Sequence, residues 1–98
     1  MTDAADAPLL LLMLARVPPE GRADFQAYEE QAIPFLASYG GRLERRMRTA
    51  DAGVEAHVVS FPDRAAFDSF RADKRRAALA PLLERSGARI ELLEVGDV

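Results

Sequence analysis

His57 is the only histidine of this 98-residue chain and the side chain best suited to proton transfer. An imidazole with an ordinary pKa near 6.5 takes up or releases a proton close to neutral pH. His57 is therefore the candidate general base, or a group that hydrogen-bonds a ligand in a pocket. The alternative is a packed histidine with no chemical role.

Three charged residues accompany His57 in two neighbouring runs of alternating polarity. Glu55 lies two positions before it, on the same side of a strand, while Arg46 and Arg48 belong to the preceding run. If a four-residue turn connects the runs, Arg48 faces Glu55. Arg46 then faces His57. This cluster predicts a site for a small anionic or polar ligand, with Arg46, Arg48 and Glu55 as ligand-binding residues. Alternatively, the arginines only protect an edge strand from aggregation.

The length of that turn decides the register of the two strands. A three-residue loop with Gly53 as a bulge would slip the pairing by one residue and place Met47 against His57. The four-residue connection is preferred because it separates apolar from charged side chains. In that register Leu43 and Met47 face the helices.

The composition excludes several kinds of chemistry. With no cysteine, the chain has no disulfide, thiolate nucleophile or zinc–thiolate site. It also lacks a glycine-rich phosphate loop, a catalytic triad and a carboxylate–histidine metal spacing, so neither a cofactor nor a metal site is predicted. The net charge of −3 and the pI near 5.1 argue against nucleic acid as a partner.

Two further groups of polar residues fit structural roles. Tyr28 and Tyr39 occur at helical spacing within an apolar stripe and are predicted to be core residues. The charged run 71–76 has no aromatic residue within it and is predicted to be a solvated helix face or loop.

The apolar run Pro8–Ala15 bears on where the protein resides. It is too short to span a membrane. Acidic Asp3 and Asp6 precede it, where a secretory signal would carry basic residues. We therefore expect a cytoplasmic protein with no membrane partner. Arginine supplies 12 of the 13 basic residues, which indicates a GC-rich bacterial genome.

The periodicity along the chain predicts the order strand, helix, hairpin, helix, strand. The segments are 9–14, 19–38, the hairpin 42–49 with 54–61, a helical region that begins after Asp63 and ends at Gly87, and 88–95. With right-handed crossovers this order gives an α+β fold of the ferredoxin-like βαββαβ type, a four-stranded antiparallel sheet with two helices on one face. The single domain covers residues 8–98 and follows a disordered leader at residues 1–7.

The first strand predicts that both faces of the sheet are covered. Its alternate positions are apolar on both sides, Leu9, Leu11 and Met13 on one and Leu10, Leu12 and Leu14 on the other. The helices cover one face, and each leucine left in water would cost about 1.5–3 kcal/mol. We therefore predict a homodimer that packs through the open sheet faces, as in a dimeric α/β barrel.

The side chains of the third strand also alternate between two faces of the sheet. One set of its side chains suits packing under the helices and consists of Val54, Ala56 and Val58. The other set, Glu55, His57, Val59 and Phe61, is expected to face into the barrel of the dimer. The candidate site would then lie between the two copies.

Two segments of the chain resemble a known superfamily. They are Tyr39–Arg42, after the first helix, and Val58–Phe67, which leads into the second. The glycine pair that ends one helix and the Phe-Pro turn that begins the next are similar to those of the dimeric α/β-barrel superfamily, and most similar to those of the domain of unknown function 1330 family. The resemblance covers about residues 9–95 and implies the ferredoxin-like fold and the dimer.

The chain departs from that superfamily in residues that bear on function. It has no Asn and no Trp, which are associated with cofactor-free monooxygenases of the superfamily. The tyrosine-bearing segment usual after the second helix is replaced by Arg71–Arg76.

Two functions are compatible with these features. The first is a small-molecule binding or regulatory module without turnover, favoured because the chain has few polar residues for chemistry. The second is a cofactor-independent enzyme, monooxygenase- or isomerase-like, that acts on a small polar or carboxylic substrate. His57 would be its base and Arg46 or Arg48 would hold an anion. A pocket of about 300 Å³ or more that converges on His57 would favour the enzyme.

Overall fold

The computed structural model describes residues 7–98. Its elements follow in this order: β1 (Leu9–Arg16), a 3₁₀ turn (Pro19–Gly21), α1 (Arg22–Ala32), a 3₁₀ segment (Ile33–Tyr39), β2 (Arg42–Arg48), β3 (Val54–Phe61), α2 (Arg64–Arg71), α3 (Lys74–Ala78), α4 (Ala80–Ser86) and β4 (Arg89–Val95). The leader predicted at residues 1–7 lies, apart from Ala7, outside the described residues.

The four strands form one antiparallel sheet in the order β2-β3-β1-β4. The helices pack on one of its faces. This is the predicted ferredoxin-like arrangement, with β1 and β3 in the centre and β2 and β4 at the edges. The prediction is confirmed by the strand order. The helical crossovers join β1 to β2 and β3 to β4, and in neither pair are the two strands adjacent in the sheet.

The main core lies between the central strands and the helices. Leu9 and Leu11 of β1 are buried there together with Phe61 of β3, Leu36 of the 3₁₀ segment and Phe67 of α2. The Phe61 and Phe67 rings lie 5.3 Å apart between centroids. On the opposite face of β1, Leu10, Leu12 and Leu14 are only half-buried.

The two faces of β3 are the reverse of those predicted. Glu55, His57, Val59 and Phe61 point toward the helices, whereas Val54, Ala56 and Val58 lie on the open face. The physical reason is the size of Phe61, which fills the core beneath α2. The two polar residues that share its side of the strand are carried under the helices with it. The candidate site therefore lies within one copy of the chain.

The hairpin has the four-residue register, with Arg46 opposite His57 and Arg48 opposite Glu55. An irregularity between Leu43 and Arg45 moves the start of β2 to the other face. Leu43 therefore faces the helices, as expected. Met47 lies on the open face and is 37% exposed, so its predicted place under the helices is wrong.

The helices begin and end at residues that the sequence indicates. Pro34 lies in the first turn of the 3₁₀ segment, where its missing N–H ends the α-helical bonding of α1. Asp63 caps α2 by accepting a hydrogen bond from the Ala66 N–H at 2.8 Å. The rest of the helical region has two breaks, at Asp73 and at Leu79, and Pro81 lies in the first turn of α4.

Candidate active site

A cavity of about 360 Å³ lies between the sheet and the helices and is here named the sheet–helix cavity. Its walls are mostly apolar, and its polar side chains are Tyr28, Glu29, His57, Arg71 and Arg76. Helix α4 packs mainly against α1 and not on the edge strand β4. Ile90 and Leu92 of β4 are therefore 44% and 45% exposed. These two residues line the cavity where it reaches the surface.

His57 is held in the cavity wall by a carboxylate on its own strand. Its Nε2 atom lies 2.8 Å from Oε1 of Glu55, and both side chains are 3% exposed. Burial lowers the pKa of His57 below its ordinary value, although the bond to Glu55 acts in the opposite direction. The imidazole is consequently neutral at pH 7.

Glu55 is the centre of a dense hydrogen-bond network. Arg46 donates to its Oε1 at 2.6 Å, and Arg48 donates to its Oε2 at 3.0 Å. Gln26 of α1 donates to Oε2 at 3.1 Å and accepts a bond from Arg46. Burial alone would raise the pKa of Glu55, but the bonds from Arg46, His57 and Arg48 outweigh burial and lower it to about 2.

Glu29 is a second buried carboxyl group in the same cavity, 6% exposed. Its Oε2 lies 3.8 Å from Nδ1 of His57, which is too long for a hydrogen bond. Burial raises its pKa to about 7, against the opposing effect of the Arg46 charge. Glu29 therefore gains or loses a proton near neutral pH.

Arg76 reaches the cavity from α3. Its Nη2 donates to the Tyr28 hydroxyl at 3.2 Å, and its guanidinium lies 4.6 Å from the centre of the Phe70 ring. Nη1 donates to the backbone oxygen of Arg71 at 3.3 Å. The Nε atom is buried and has no hydrogen-bond partner in residues 7–98. A fixed cation with an unused donor is thus part of the wall.

The predicted cluster of Arg46, Arg48, Glu55 and His57 does come together, but only His57 lines the sheet–helix cavity. Arg46 and Arg48 lie with Met47 along a separate groove at the sheet edge, and their guanidiniums bond Glu55. Their role in ligand binding stays a prediction. In the structure they hold the carboxylate that positions His57.

Sequence reasoning missed Glu29, Arg71 and Arg76. Glu29 could have been found, since it lies four residues after Phe25 and three before Ala32 within the apolar stripe of α1, where a charged residue is out of place. The arginines had no such signal. The charged run 71–76 predicts a solvated face, but the break at Asp73 turns Arg76 toward the cavity.

Within residues 7–98, no cluster of His, Cys, Asp or Glu has the arrangement of a metal site. In the same part of the chain, every helix is too short or too polar to cross a bilayer.

Solved structures share this fold over nearly the whole chain. A proposed antibiotic biosynthesis monooxygenase from Bacteroides thetaiotaomicron is 16% identical, with a TM-score of 0.79 and coverage of 96% of this chain and 92% of that one. A similarly described protein from Caulobacter crescentus is 13% identical, with a TM-score of 0.75 over 96% and 94% of the two chains. SnoaB, a cofactor-independent oxygenase from Streptomyces nogalater, is 17% identical, with a TM-score of 0.73 over 94% and 96%.

This likeness shows the fold alone, a ferredoxin-like α+β fold that the chain shares with proteins described as antibiotic biosynthesis monooxygenases. No protein-family model matches the chain, and no curated protein sequence matches it. The narrower resemblance to the domain of unknown function 1330 family stays a prediction.

Proposed function

We propose that this chain is an enzyme that removes a proton from a small, largely apolar substrate, with His57 as the base. The observation that carries the proposal is the sheet–helix cavity of about 360 Å³, into which a buried, carboxylate-bonded histidine projects. A space of this size is typical of small-molecule sites. Mostly apolar walls with a few polar groups at one place favour a substrate with a ring body and one reactive position.

The hydrogen bond to Glu55 decides which nitrogen of His57 acts. Because Glu55 stays ionised, it accepts a bond from Nε2–H, and the lone pair of the neutral ring is then on Nδ1. Nδ1 is the nitrogen nearer to Glu29. When Nδ1 takes a proton, the imidazolium is stabilised by the carboxylate already bonded to it, as in other carboxylate–histidine pairs. Glu55 is the positioning residue in this arrangement.

Oxygenation is the reaction that the structural neighbours favour, since one of them is a cofactor-independent oxygenase. Removal of a proton from an activated CH₂ group gives a carbanion, which is electron-rich enough to reduce O₂. One oxygen atom then remains on carbon as a carbonyl and the other leaves as water, so that CH₂ and O₂ give C=O and H₂O. In this scheme the protein supplies the base and a cavity that shields the anion.

The test uses 2-tetralone and 2-indanone, two bicyclic ketones with activated CH₂ groups. Deuterium exchange from D₂O is followed by NMR, and O₂ consumption is followed in parallel. His57→Gln is the test variant, because the amide can still donate to Glu55 but cannot act as a base. Arg89→Gln, at an exposed position on β4, is the control.

We expect wild-type protein and Arg89→Gln to accelerate exchange above the buffer rate by at least about 100-fold, and His57→Gln to lose this acceleration. Exchange with O₂ consumption supports oxygenation, whereas exchange without it supports an isomerase-like proton transfer. If both ketones bind but neither exchanges deuterium, the proposed enzymatic function is wrong, and the result supports a small-molecule binding module. Equal exchange in wild type and His57→Gln would remove His57 as the base.

A further inference from the structure

The mouth of the sheet–helix cavity carries two cations that have no ionic partner. Arg71 and Arg76 both line the cavity, and neither has a carboxylate within 4.0 Å in residues 7–98. Other arginines of the chain differ in this respect, since Arg46 and Arg48 pair with Glu55 and Arg75 pairs with Asp73. Among the other arginines of residues 7–98, Arg22, Arg45 and Arg89 also lack a carboxylate within 4.0 Å, but none of them lines the cavity.

Arg76 is held in place by contacts that leave part of its guanidinium available. The plane stacks on Phe70, Nη2 bonds the Tyr28 hydroxyl and Nη1 bonds the backbone of Arg71. None of these partners is negatively charged, and Nε is buried without any partner among residues 7–98. A half-buried cation whose guanidinium bonds only neutral groups is stabilised by an anion that can approach it.

Arg71 adds a second positive charge on the adjoining turn of α2. Its guanidinium lies 5.3 Å from the centre of the Phe67 ring, and the side chain is exposed. Each cation thus rests on an aromatic ring that also lines the cavity. A guanidinium above a phenyl ring beside an apolar cavity is suited to a ligand that has both an anionic group and a ring.

Glu29 does not neutralise these arginines at pH 6 or below. Burial keeps it largely protonated there, since its pKa is about 7. The other acid near the cavity, Glu55, is already bonded by Arg46, Arg48 and His57. Positive charge at the mouth is therefore not balanced by the protein itself.

We propose that the substrate is an aromatic or alicyclic carboxylate, whose carboxylate is bound by Arg76 and Arg71 at the mouth of the cavity. Its ring lies between the phenylalanine and leucine walls and extends toward His57. The inference deepens the proposed function and rests on it for the role of the cavity. It transfers the anion-binding role from Arg46 and Arg48 to a pair of residues on the helices.

The test compares 2-naphthoate with 2-naphthamide, which has the same shape and no charge. Binding is measured at pH 6 by the fluorescence of the naphthalene ring, which is free of tryptophan background because the chain has no Trp. We expect the carboxylate to bind about 10- to 100-fold more tightly than the amide, the range of one charge-assisted hydrogen bond. Equal affinities in the wild-type protein would overturn the inference.

Four variants test which arginine causes the preference for the carboxylate over the amide. Arg76→Gln is expected to reduce the ratio of affinities to below about threefold while the amide binds unchanged, and Arg71→Gln to reduce it partly. Arg76→Lys keeps the charge but loses the Nε donor and should give an intermediate ratio, which remains informative if the glutamine variant fails to fold. Lys74→Gln removes a cation from the same helix α3 at an exposed position that does not line the cavity, and should change nothing.

Arg46→Gln separates the two candidate anion sites. Loss of the carboxylate preference in this variant, with retention in Arg76→Gln, would assign the anion to the sheet edge and overturn the inference. Neither naphthalene probe carries an acidic C–H group, so their binding is independent of the exchange chemistry. A retained preference with no exchange of the ketones would therefore contradict the proposed function alone.

Discussion

The two buried carboxyl groups of the site, Glu29 and Glu55, have opposite protonation behaviour. Both are nearly inaccessible to solvent. Glu55 accepts bonds from two arginines, a histidine and a glutamine, which keep it ionised. Among residues 7–98 no hydrogen-bond donor lowers the pKa of Glu29, and burial dominates. At the scale of single residues, the number of donors and not the degree of burial decides which carboxyl holds a proton.

The raised pKa of Glu29 predicts a loss of stability as the pH rises. Its pKa is about 7 in the folded protein against 4.5 in the unfolded chain, so the folded state binds more protons between these values. The corresponding stabilisation is complete below about pH 4.5 and is lost as the pH rises to about 7. Glu29→Gln imitates the protonated form, and should be about 3 kcal/mol more stable than wild type at pH 8 and equal to it at pH 4.

Urea unfolding at pH 4 to 8 measures this difference. The pKa of His57 is lowered and changes stability in the opposite direction, but it contributes to both proteins and cancels to first order. Glu30→Gln is the matched control, because Glu30 is the next residue of α1 and is exposed. A constant offset between wild type and Glu29→Gln at all pH values would show that Glu29 has an ordinary pKa.

At the scale of elements, the sequence predicts the strands because β2, β3 and β4 alternate in polarity and β1 is a short apolar run, and the hairpin turn fixes the register of β2 with β3. It does not predict which face of β3 meets the helices. Val54, Ala56 and Val58 form an apolar row, yet the single large ring of Phe61 on the other side decides the orientation. The sequence does not predict the bulge near Glu44 either, because neither glycine nor proline occurs there.

Gly21 joins two elements of the helical layer by a close backbone contact. A Cβ atom at this position would lie 1.7 Å from the backbone oxygen of Ser86, at the end of α4. The requirement is therefore space and not an unusual dihedral angle, since φ of Gly21 is −99°. The start of α1 and the end of α4 can approach this closely only because residue 21 has no side chain.

Gly21→Ala is expected to destabilise the protein by about 3 kcal/mol or more, because backbone atoms on both sides must move. Since α4 supplies Leu83 to the cavity, its displacement should also weaken the binding of 2-naphthamide. Thermal unfolding and the naphthalene fluorescence assay measure the two effects. Gly96→Ala is the control, because a Cβ atom there meets nothing within 4 Å. Similar stabilities of the two variants would show that α4 does not pack on Gly21.

At the scale of the whole molecule, the sequence predicts part of the site for a definable reason. His57, Glu55, Arg46 and Arg48 belong to one hairpin, and a local register brings them together. Glu29, Arg71 and Arg76 come from helices, and their place around the same cavity as His57 depends on how α1, α2 and α3 pack over the sheet. Patterns of two or 3.6 residues give the face of an element but not which residues of separate elements will meet.

The open face of the sheet has no helix packed on it within residues 7–98. Its centre is formed by Leu12 of β1, with Val58 of β3 and Leu93 of β4 as its neighbours across the strands. Leu93 is 40% exposed and Val95 of the same strand 38%. An antiparallel sheet with one solvated face would carry polar residues there. We therefore keep the prediction that a second copy covers this face, since a two-fold axis pairs an apolar surface with itself.

Leu12→Glu tests the dimer, because it places one charge from each copy at the centre of the predicted interface. We expect wild-type protein to have twice the chain mass of 10.8 kDa in light scattering, and the variant to have the mass of one chain. Leu93→Glu, at the edge strand, should weaken the dimer less and remains informative if Leu12→Glu fails to fold. Ala23→Glu adds the same charge at an exposed position of α1 and should remain dimeric.

The same variants distinguish a site within one chain from a site that two copies form together. Because the sheet–helix cavity is enclosed by elements of a single chain, a folded Leu12→Glu monomer should bind 2-naphthamide within about threefold of wild type. A loss of binding that accompanies the loss of the dimer would show that the partner completes the site. A wild-type protein of one chain mass at micromolar concentration would instead contradict the dimer, and the apolar open face would then need another cover.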